Sequence, residues 1–266
     1  MKIARYAHGN DIAYGVVEGL EPGDEPGPDT FLAQLHGHPI EGVNPTGIRH
    51  SYAEVRLLPP VLPTKIVAMG KNYLDHIAEM GGETPEGPLI FLKPSTSLIG
   101  PGDRITLPHQ SNRVDHEGEL AVIIARPCRD LPARRAREVI LGYTCANDVS
   151  ARDLQQVDGQ WTRAKGFDSF CPLGPWIETE LDVLGDGGVD ISCRVGDDVR
   201  QSANTSLLIH RIPQIIEFIT SVMTLLPGDV ILTGTPAGVG PLTAGDTVTV
   251  SIAGIGSLTN PVVDRD

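Results

Sequence analysis

The chain has 266 residues and a formal net charge of −13, with 40% apolar and 21% charged side chains. That length suits one large domain, or a small one beside a medium one, with ample material for a core. The acidic balance, with no Lys/Arg run, argues against nucleic acid or an anionic membrane surface as the main partner. No stretch approaches the roughly 18–20 continuous apolar residues of a membrane helix.

The N-terminus, "MKIARYAHGNDIAYG", alternates like a strand and lacks the apolar region of a secretory signal. Cys128, Cys145, Cys171 and Cys193 are widely spread without a C-x-x-C pair, so they read as free thiols of a cytoplasmic protein, not as zinc ligands. "KIARYAHGNDIAYGVVEG" has the pattern of a hairpin around His8-Gly9-Asn10-Asp11. The Pro, Gly and acid content of "GLEPGDEPGPDT" marks an exposed loop. A Pro-rich seam, "LLPPVLPTK", ends this first unit at about Pro63 and divides a small β-rich part, 1–62, from a larger part, 63–266.

Beyond the seam, "KIVAMGKNY" reads as a buried strand running into a short helix, "YLDHIAEM". The turn-rich "GGETPEGP" follows, and "LIFLKP" resumes extended structure. Gly102-Asp103, Gly228-Asp229 and Gly245-Asp246 each precede a β-branched run, which predicts a turn and then a strand. "LLIHRIPQIIEFITSVMTL" carries Ile212, Ile215, Ile216, Ile219, Val222 and Met223 at helical spacing and is the main long helix. Strands outnumber helices, and many are not joined by crossover helices. The expected fold is therefore α+β, β-rich and built around mixed sheet.

"VDHEGELAVII" places Glu117 and Glu119 at the mouth of an apolar strand. Residues two apart on a strand share a face, so the two carboxylates lie side by side. A lone E-x-E reads equally as a solvated strand end. However, "LGYTCANDVSARDLQ" is a second apolar strand that ends at Asp148. Three carboxylates without Cys or His form an all-oxygen site that favours Mg²⁺ or Mn²⁺ over zinc. His116 points to the opposite face of its strand and reads as structural.

Other residues carry two readings each. His76 and Glu79 stand at i, i+3 on the short helix, either as a histidine base tuned by a carboxylate or as an exposed pair. Lys165, among small and aromatic residues, either stabilises developing negative charge or is a surface turn lysine. Arg152 and Gln155 hold substrate oxygens or cap the helix that follows Asp148. "LTGTPAGVGP" lacks the Gly-Lys-Ser/Thr of a phosphate-binding loop, which weakens a nucleotide or phosphoryl-transfer reading. Its backbone N–H groups and Thr235 are suited to holding a carboxylate.

Taken in order, "GKNYLDHIAEM", "FLKPSTSLIGPGD", "VDHEGELAVII", "GYTCANDVSARDLQ", "WTRAKGFDSFCPLGPW" and "LTGTPAGVGP" resemble the fumarylacetoacetate hydrolase family over roughly residues 63–266. The resemblance implies a mixed β-sandwich roll, a homodimer, and Mg²⁺ or Mn²⁺ held by Glu117, Glu119 and Asp148. It implies that His76 and Glu79 are a base dyad on a lid helix and that Lys165 is the site lysine. Lys71, Tyr73, Arg152, Gln155 and Thr235 fall on substrate contacts. Members often carry Gly-Arg-Asn-Tyr where this chain has Gly70-Lys71-Asn72-Tyr73; lysine keeps the charge but loses the bidentate fork. The activity implied is hydrolysis of an acylpyruvate-like 2-oxo acid through an enolate. The alternatives are decarboxylation or isomerisation of oxaloacetate or a hydroxymuconate or 2-hydroxyhepta-2,4-diene-1,7-dioate type diacid, and, more remotely, a non-catalytic metal-binding protein.

Overall fold

The computed structural model describes residues 1–21 and 23–265. The first unit supplies β1 (Lys2–His8), β2 (Asp11–Glu18), β3 (Phe31–Leu35), β4 (Pro45–Ser51) and β5 (Arg56–Leu58). There follow β6 (Ile66–Gly70), α1 (Leu74–Glu79), β7 (Leu89–Lys93), β8 (Leu98–Ile99), β9 (Ile105–Leu107), β10 (Val114–His116) and β11 (Gly118–Ile124). Next come β12 (Ile140–Asn147), β13 (Ser150–Ala151), α2 (Arg152–Asp158), α3 (Thr162–Lys165), β14 (Cys171–Glu178), β15 (Asp190–Val195) and β16 (Asp198–Asn204). The chain ends with α4 (Ile212–Val222), β17 (Val230–Leu232), β18 (Gly240–Pro241), β19 (Thr247–Ile252) and β20 (Gly256–Asp264).

A 12-stranded sheet runs β4-β3-β2-β1-β14-β12-β11-β17-β6-β7, with β5 on β1 and β8 on β14. A five-stranded sheet, β16-β15-β19-β20-β9, packs against its centre, and Val122, Cys145 and Trp176 share one core with Cys193, Val250 and Leu258. Most pairings are antiparallel, but β17–β6, β14–β8 and β20–β9 are parallel, so the sheets are mixed as expected. Every residue of β11 (GELAVII) and β14 (CPLGPWIE) is buried, as predominantly apolar strands at the centre of a sheet with neighbours on both faces are. Among the described residues no helix is long and apolar enough to cross a membrane. All four cysteines are buried and free.

The hairpin forms where expected: His8 pairs with Asp11 across Gly9-Asn10, with Gly9 at φ 59°. The N-terminal strands do not build a sheet of their own. Lys2 pairs with Glu178 and Ile3 with Ile177, so β1 continues the large sheet. The long helix is shorter than its apolar pattern. Pro213 stands in its first turn, and the preceding Thr205–Leu207 is a separate 3₁₀ turn. Ile212, Ile215, Ile216 and Ile219 face the core, whereas Val222 is exposed and Met223 lies past the last turn.

The three Gly-Asp turns share one device. In each the glycine has positive φ and the aspartate accepts the backbone N–H three residues earlier: Gly100 to Asp103 at 2.8 Å, Leu226 to Asp229 at 2.7 Å, and Thr243 to Asp246 at 2.7 Å. Asp229 is fully buried and also accepts from Thr64 Oγ1 (2.6 Å), Lys65 N (3.2 Å) and Lys65 Nζ (2.5 Å). Asp229→Ala should cost about 2–4 kcal/mol because it strands buried donors. Asp246→Ala, at an exposed turn, should cost about 1 kcal/mol. Urea unfolding of both variants checks the order.

Candidate metal centre and active site

Glu117 lies in the link between β10 and β11, Glu119 lies in β11, and Asp148 follows β12 directly. Antiparallel pairing of Gly118 with Asn147 and of Glu119 with Ala146 brings the two strand ends together. Two further bonds fix the junction: Asp148 N donates to Glu117 O (2.8 Å), and Glu117 N donates to Asn147 Oδ1 (2.9 Å). One carboxylate oxygen from each of Glu117, Glu119 and Asp148 then lies within 4.8 Å of the others, and all three side chains are buried.

Such a trio survives only with compensating charge. Lys165 Nζ donates to Glu117 Oε2 (2.7 Å) and Asp148 Oδ2 (2.5 Å), and Lys93 Nζ donates to Asp148 Oδ1 (2.6 Å). Arg152 pairs with Glu117 Oε1 through Nη2, with Asp115 Oδ2 through Nε (2.9 Å), and with Gln155 Oε1 through Nη1 (2.5 Å). Asp115 is shared between Arg152 and the half-exposed Arg113, which donates to Oδ1 at 3.0 Å and Oδ2 at 3.2 Å. Glu119 alone of the trio forms no ion pair among the described residues and accepts only the Gly234 N–H, at 2.6 Å.

The titration of the cluster follows. Burial, then the charges of Asp148 and Glu117, push the Glu119 carboxyl well above the usual carboxylate range. Burial acts the same way on Glu117, but Lys165 and Arg152 outweigh it and hold that carboxyl far below the usual range. Burial favours the neutral amine of Lys165, and Asp148 and Glu117 reverse that, keeping it an ammonium. An uncompensated carboxylate in an all-oxygen trio fits a hard divalent cation, so the residues present suit Mg²⁺ or Mn²⁺.

Two of the trio, Glu117 and Glu119, open into a cavity of about 220 Å³ lined also by Arg152, Lys165, His76, Lys71, Gln155, Thr235 and an apolar wall that includes Phe91 and Trp161; Asp148 lies behind it. His76 is buried at the start of that wall, with Nδ1 turned to Glu79 Oε2 at 3.5 Å. Nδ1 has no hydrogen-bond partner, and burial lowers the imidazole from its ordinary value, which favours its neutral form. Glu79 does not line the cavity. Both its oxygens accept the Gly238 N–H at 3.1 Å, which anchors α1 to the glycine-rich loop. Gly238 and Gly234 have φ of 96° and 102°, and a Cβ would lie 1.9 Å from Arg200 O at the first and 2.7 Å from Asn72 Cβ at the second.

The remaining predicted residues divide. Lys71 stands at the cavity mouth in a left-handed conformation, φ 55°, with Nζ 3.4 Å from Glu83 O. Tyr73 does not line the cavity; it is buried, and its backbone bridges to Leu208. Thr235 does line it, but its hydroxyl donates to Gly118 O (2.9 Å) and accepts from Gln201 Nε2 (2.7 Å). Arg152 spends three donors on protein acceptors, so its first duty is to hold Glu117. His116 faces Gln201 and Cys193, away from the trio.

The sequence reading missed Lys93, Asp115, Gln201 and Trp161. Lys93 was legible in principle: in "LIFLK" it shares a strand face with the buried Phe91. Trp161 carried no such signal, because what it does is press on Gly70, where an added Cβ would lie 2.5 Å from its ring.

Comparison with known proteins agrees with this geometry. Residues 65–263 match the fumarylacetoacetate (FAA) hydrolase C-terminal family, and residues 1–60 match the Rv2993c-like, N-terminal family. The chain belongs to the fumarylacetoacetate hydrolase family. It is 50% identical to a crystal structure of 2-hydroxyhepta-2,4-diene-1,7-dioate isomerase from Mycobacterium marinum, with a TM-score of 0.91 over 100% of this chain and 99% of that one. It is 42% identical to the mitochondrial oxaloacetate tautomerase fahd2 of Xenopus laevis, over 80% of this chain and 70% of that protein. At 32% identity and a TM-score of 0.79 over the whole of both chains it resembles maleylpyruvate hydrolase from Sphingobium sp. SYK-6, in complex with manganese (II) ion and pyruvate. These family relatives are enzymes, and their names lean towards isomerase and tautomerase as much as hydrolase.

Glu119→Gln separates stability from cation binding. Removing the uncompensated charge should raise the melting temperature of the metal-free protein by about 2–4 °C. Mn²⁺ or Mg²⁺ should raise the melting temperature of the native protein further, and the same change should abolish that rise. Differential scanning calorimetry with and without cation measures both.

Proposed function

We propose that this protein is a Mg²⁺- or Mn²⁺-dependent enzyme that moves a proton on a 2-oxo diacid, as a tautomerase of oxaloacetate or an isomerase of a hydroxymuconate-type diacid. One observation carries the reading: a buried histidine, an ammonium and the carboxylates of Glu117 and Glu119 line the same 220 Å³ cavity, with Asp148 converging on them from behind. The names of the tautomerase and isomerase relatives support it above the carbon–carbon hydrolysis expected first from the sequence.

A cation held by Glu117, Glu119 and Asp148 would supply Lewis acidity at the 2-oxo and adjacent carboxylate oxygens of the substrate. His76 takes a proton from the carbon next to the 2-oxo group; the C–H electron pair becomes the new C=C bond, and the C=O π pair moves onto the oxygen as an enolate. The same imidazolium returns the proton, to the oxygen or to a carbon further along the conjugated chain, so nothing is gained or lost overall. Lys165, on the cavity wall, faces the developing negative charge. Lys71 at the mouth meets the distal carboxylate, and the apolar wall of Phe91 and Trp161 keeps water from the enolate.

Hydrolysis of an acylpyruvate stays as the second reading, because the His76–Glu79 pair is also what activating a water requires, and maleylpyruvate hydrolase shares the fold. Oxaloacetate, a hydroxymuconate-type diacid, fumarylpyruvate and simple acylpyruvates, each assayed with and without Mn²⁺, separate the readings. Loss of enol absorbance without pyruvate release supports tautomerisation, and release of pyruvate from an acylpyruvate supports hydrolysis. No turnover of any of them with cation present refutes both. His76→Ala should lower kcat by about 10²–10⁴. Because the histidine sits below its ordinary 6.5, the neutral form persists to lower pH. The rate should therefore stay flat from pH 8 to 6.5 and fall only below that, which a pH–rate profile checks.

A further inference from the structure

The first unit carries a second cavity, of about 410 Å³, which shares no residue with the cavity of His76. Strand pairing decides what faces it. Tyr6 stands opposite Ala13, His8 opposite Asp11, Gly15 opposite Gln34 and Leu32 opposite His50, so period two turns these side chains the same way. The sheet β4-β3-β2-β1 curls far enough to stack His8 of β1 on His50 of β4, with ring centroids 4.1 Å apart. Gly15 makes room for the Tyr6 ring, because a Cβ there would lie 3.0 Å from Tyr6 Cε1. The hydroxyl end of that ring is thus directed over Gly15 towards Gln34. Tyr6 lines the cavity and is 0% exposed, yet its hydroxyl has no hydrogen-bond partner. Burial raises the phenol above its ordinary value, so it stays a donor. Gln34 Oε1 accepts from His50 Nε2 at 3.3 Å, and the Gln34 amide N–H groups have no partner among the described residues. Ile12 and Ile48, 60% and 50% exposed, form the apolar rim.

We propose that this cavity is a second binding site, for a small uncharged planar ring that bears an amide. The ring rests on the His8–His50 stack and against Ile12 and Ile48. Its carbonyl accepts from the Tyr6 hydroxyl and the Gln34 amide, and its N–H donates to the Asp11 carboxylate. Charge is selected against in both directions. No Lys or Arg lines the cavity among the described residues, and Asp11 repels a carboxylate. A cation is drawn to Asp11 but offers the Tyr6 hydroxyl nothing to donate to. A metal ion does not fit either, because stacked imidazoles point their lone pairs side by side and not at one point. Among the described residues His8, Asp11 and His50 do not bring three ligand atoms within 4.8 Å, as the carboxylate trio does.

Benzamide, benzoate and benzamidine share one ring and one shape and differ in charge, so they are the probes. Titrated into the ¹⁵N-labelled full chain, benzamide should shift backbone amide resonances of β1–β4 with a Kd of about 1 mM, which suits a ligand of its size. Benzoate and benzamidine should bind about ten-fold more weakly. Tyr6→Phe should weaken benzamide about ten-fold, by loss of one hydrogen bond, and leave the melting temperature of the free protein unchanged or higher. A tyrosine with a merely structural role would not give that pair of results. Where Tyr6→Phe does not fold, Gln34→Leu removes the other donor to the same carbonyl and should have the same effect on binding. The proposal is overturned by an absence of shifts at about 10 mM benzamide, or by shifts confined to the cavity of His76. It is equally overturned if either charged probe binds as tightly as benzamide, or if the variant keeps native affinity.

Discussion

Three carboxylates forced together where water is excluded are the constraint around which this molecule is arranged. At 4.8 Å and an effective dielectric constant near 20, two like charges repel by about 3 kcal/mol, before any cost of desolvation. No strand end tolerates that passively. The register of β11 against β12 imposes the closeness, and Lys93, Lys165 and Arg152 arrive from three other elements, β7, α3 and α2, to offset it. The compensation does not reach Glu119, which has no cationic partner among the described residues. That unpaired carboxyl is what makes the trio suited to a cation, beyond a buried salt-bridge network.

The same constraint explains the glycine-rich loop. Its N–H groups do hold carboxylates, but these are the protein's own: Gly234 takes Glu119, and Gly238 takes Glu79. Thr233 Oγ1 donates to Leu120 O, Thr235 Oγ1 donates to Gly118 O, and Gln201 spans Gly118 N, Thr235 and Pro236 O. Asn72 completes the brace by donating to Thr233 O and His210 O. The segment therefore works as cross-bracing that ties the helix of His76 to the strand of Glu119. Base and carboxylates keep one geometry although they lie about forty residues apart in the chain.

How much of this was legible depends on whether the physics was local. Period-two spacing placed Glu117 beside Glu119, and an acid ending an apolar strand marked Asp148, because alternation and burial are written into neighbouring residues. The three Gly-Asp turns were legible for the same reason. The bonds that set the behaviour of the site were not. Nothing near Lys93 in the chain says that it meets Asp148, 55 residues on, and Gln201 stands among exposed residues of β16. The resemblance put Tyr73 with Lys71 among substrate contacts, but the left-handed turn at Lys71 sends the two side chains to different surroundings. The N-terminal strands likewise looked separable at the Pro-rich seam, and only long-range pairing of β1 with β14 joins them to the larger sheet.

Reaction class is the least legible property, and the arrangement shows why. Tautomerisation, isomerisation, decarboxylation and acylpyruvate cleavage all need accumulation of negative charge on a 2-oxo oxygen, and the carboxylates, Lys165 and His76 are suited to that shared act without choosing among them. What distinguishes the outcomes is where the far end of the substrate rests and whether a water reaches it. Those depend on the outer half of the cavity: Trp161 pressed on Gly70, Phe91 between that ring and Lys165, and Lys71 and Gln155 on the polar side. Phe91 lies 5.3 Å from the Trp161 ring and 5.0 Å from Lys165 Nζ, so aromatic surface runs without a break from the charged centre to the mouth. An apolar wall of that kind limits the access of solvent to whatever rests against it, and under the proposed reading it is this wall, not the carboxylate trio, that would set which reaction is completed.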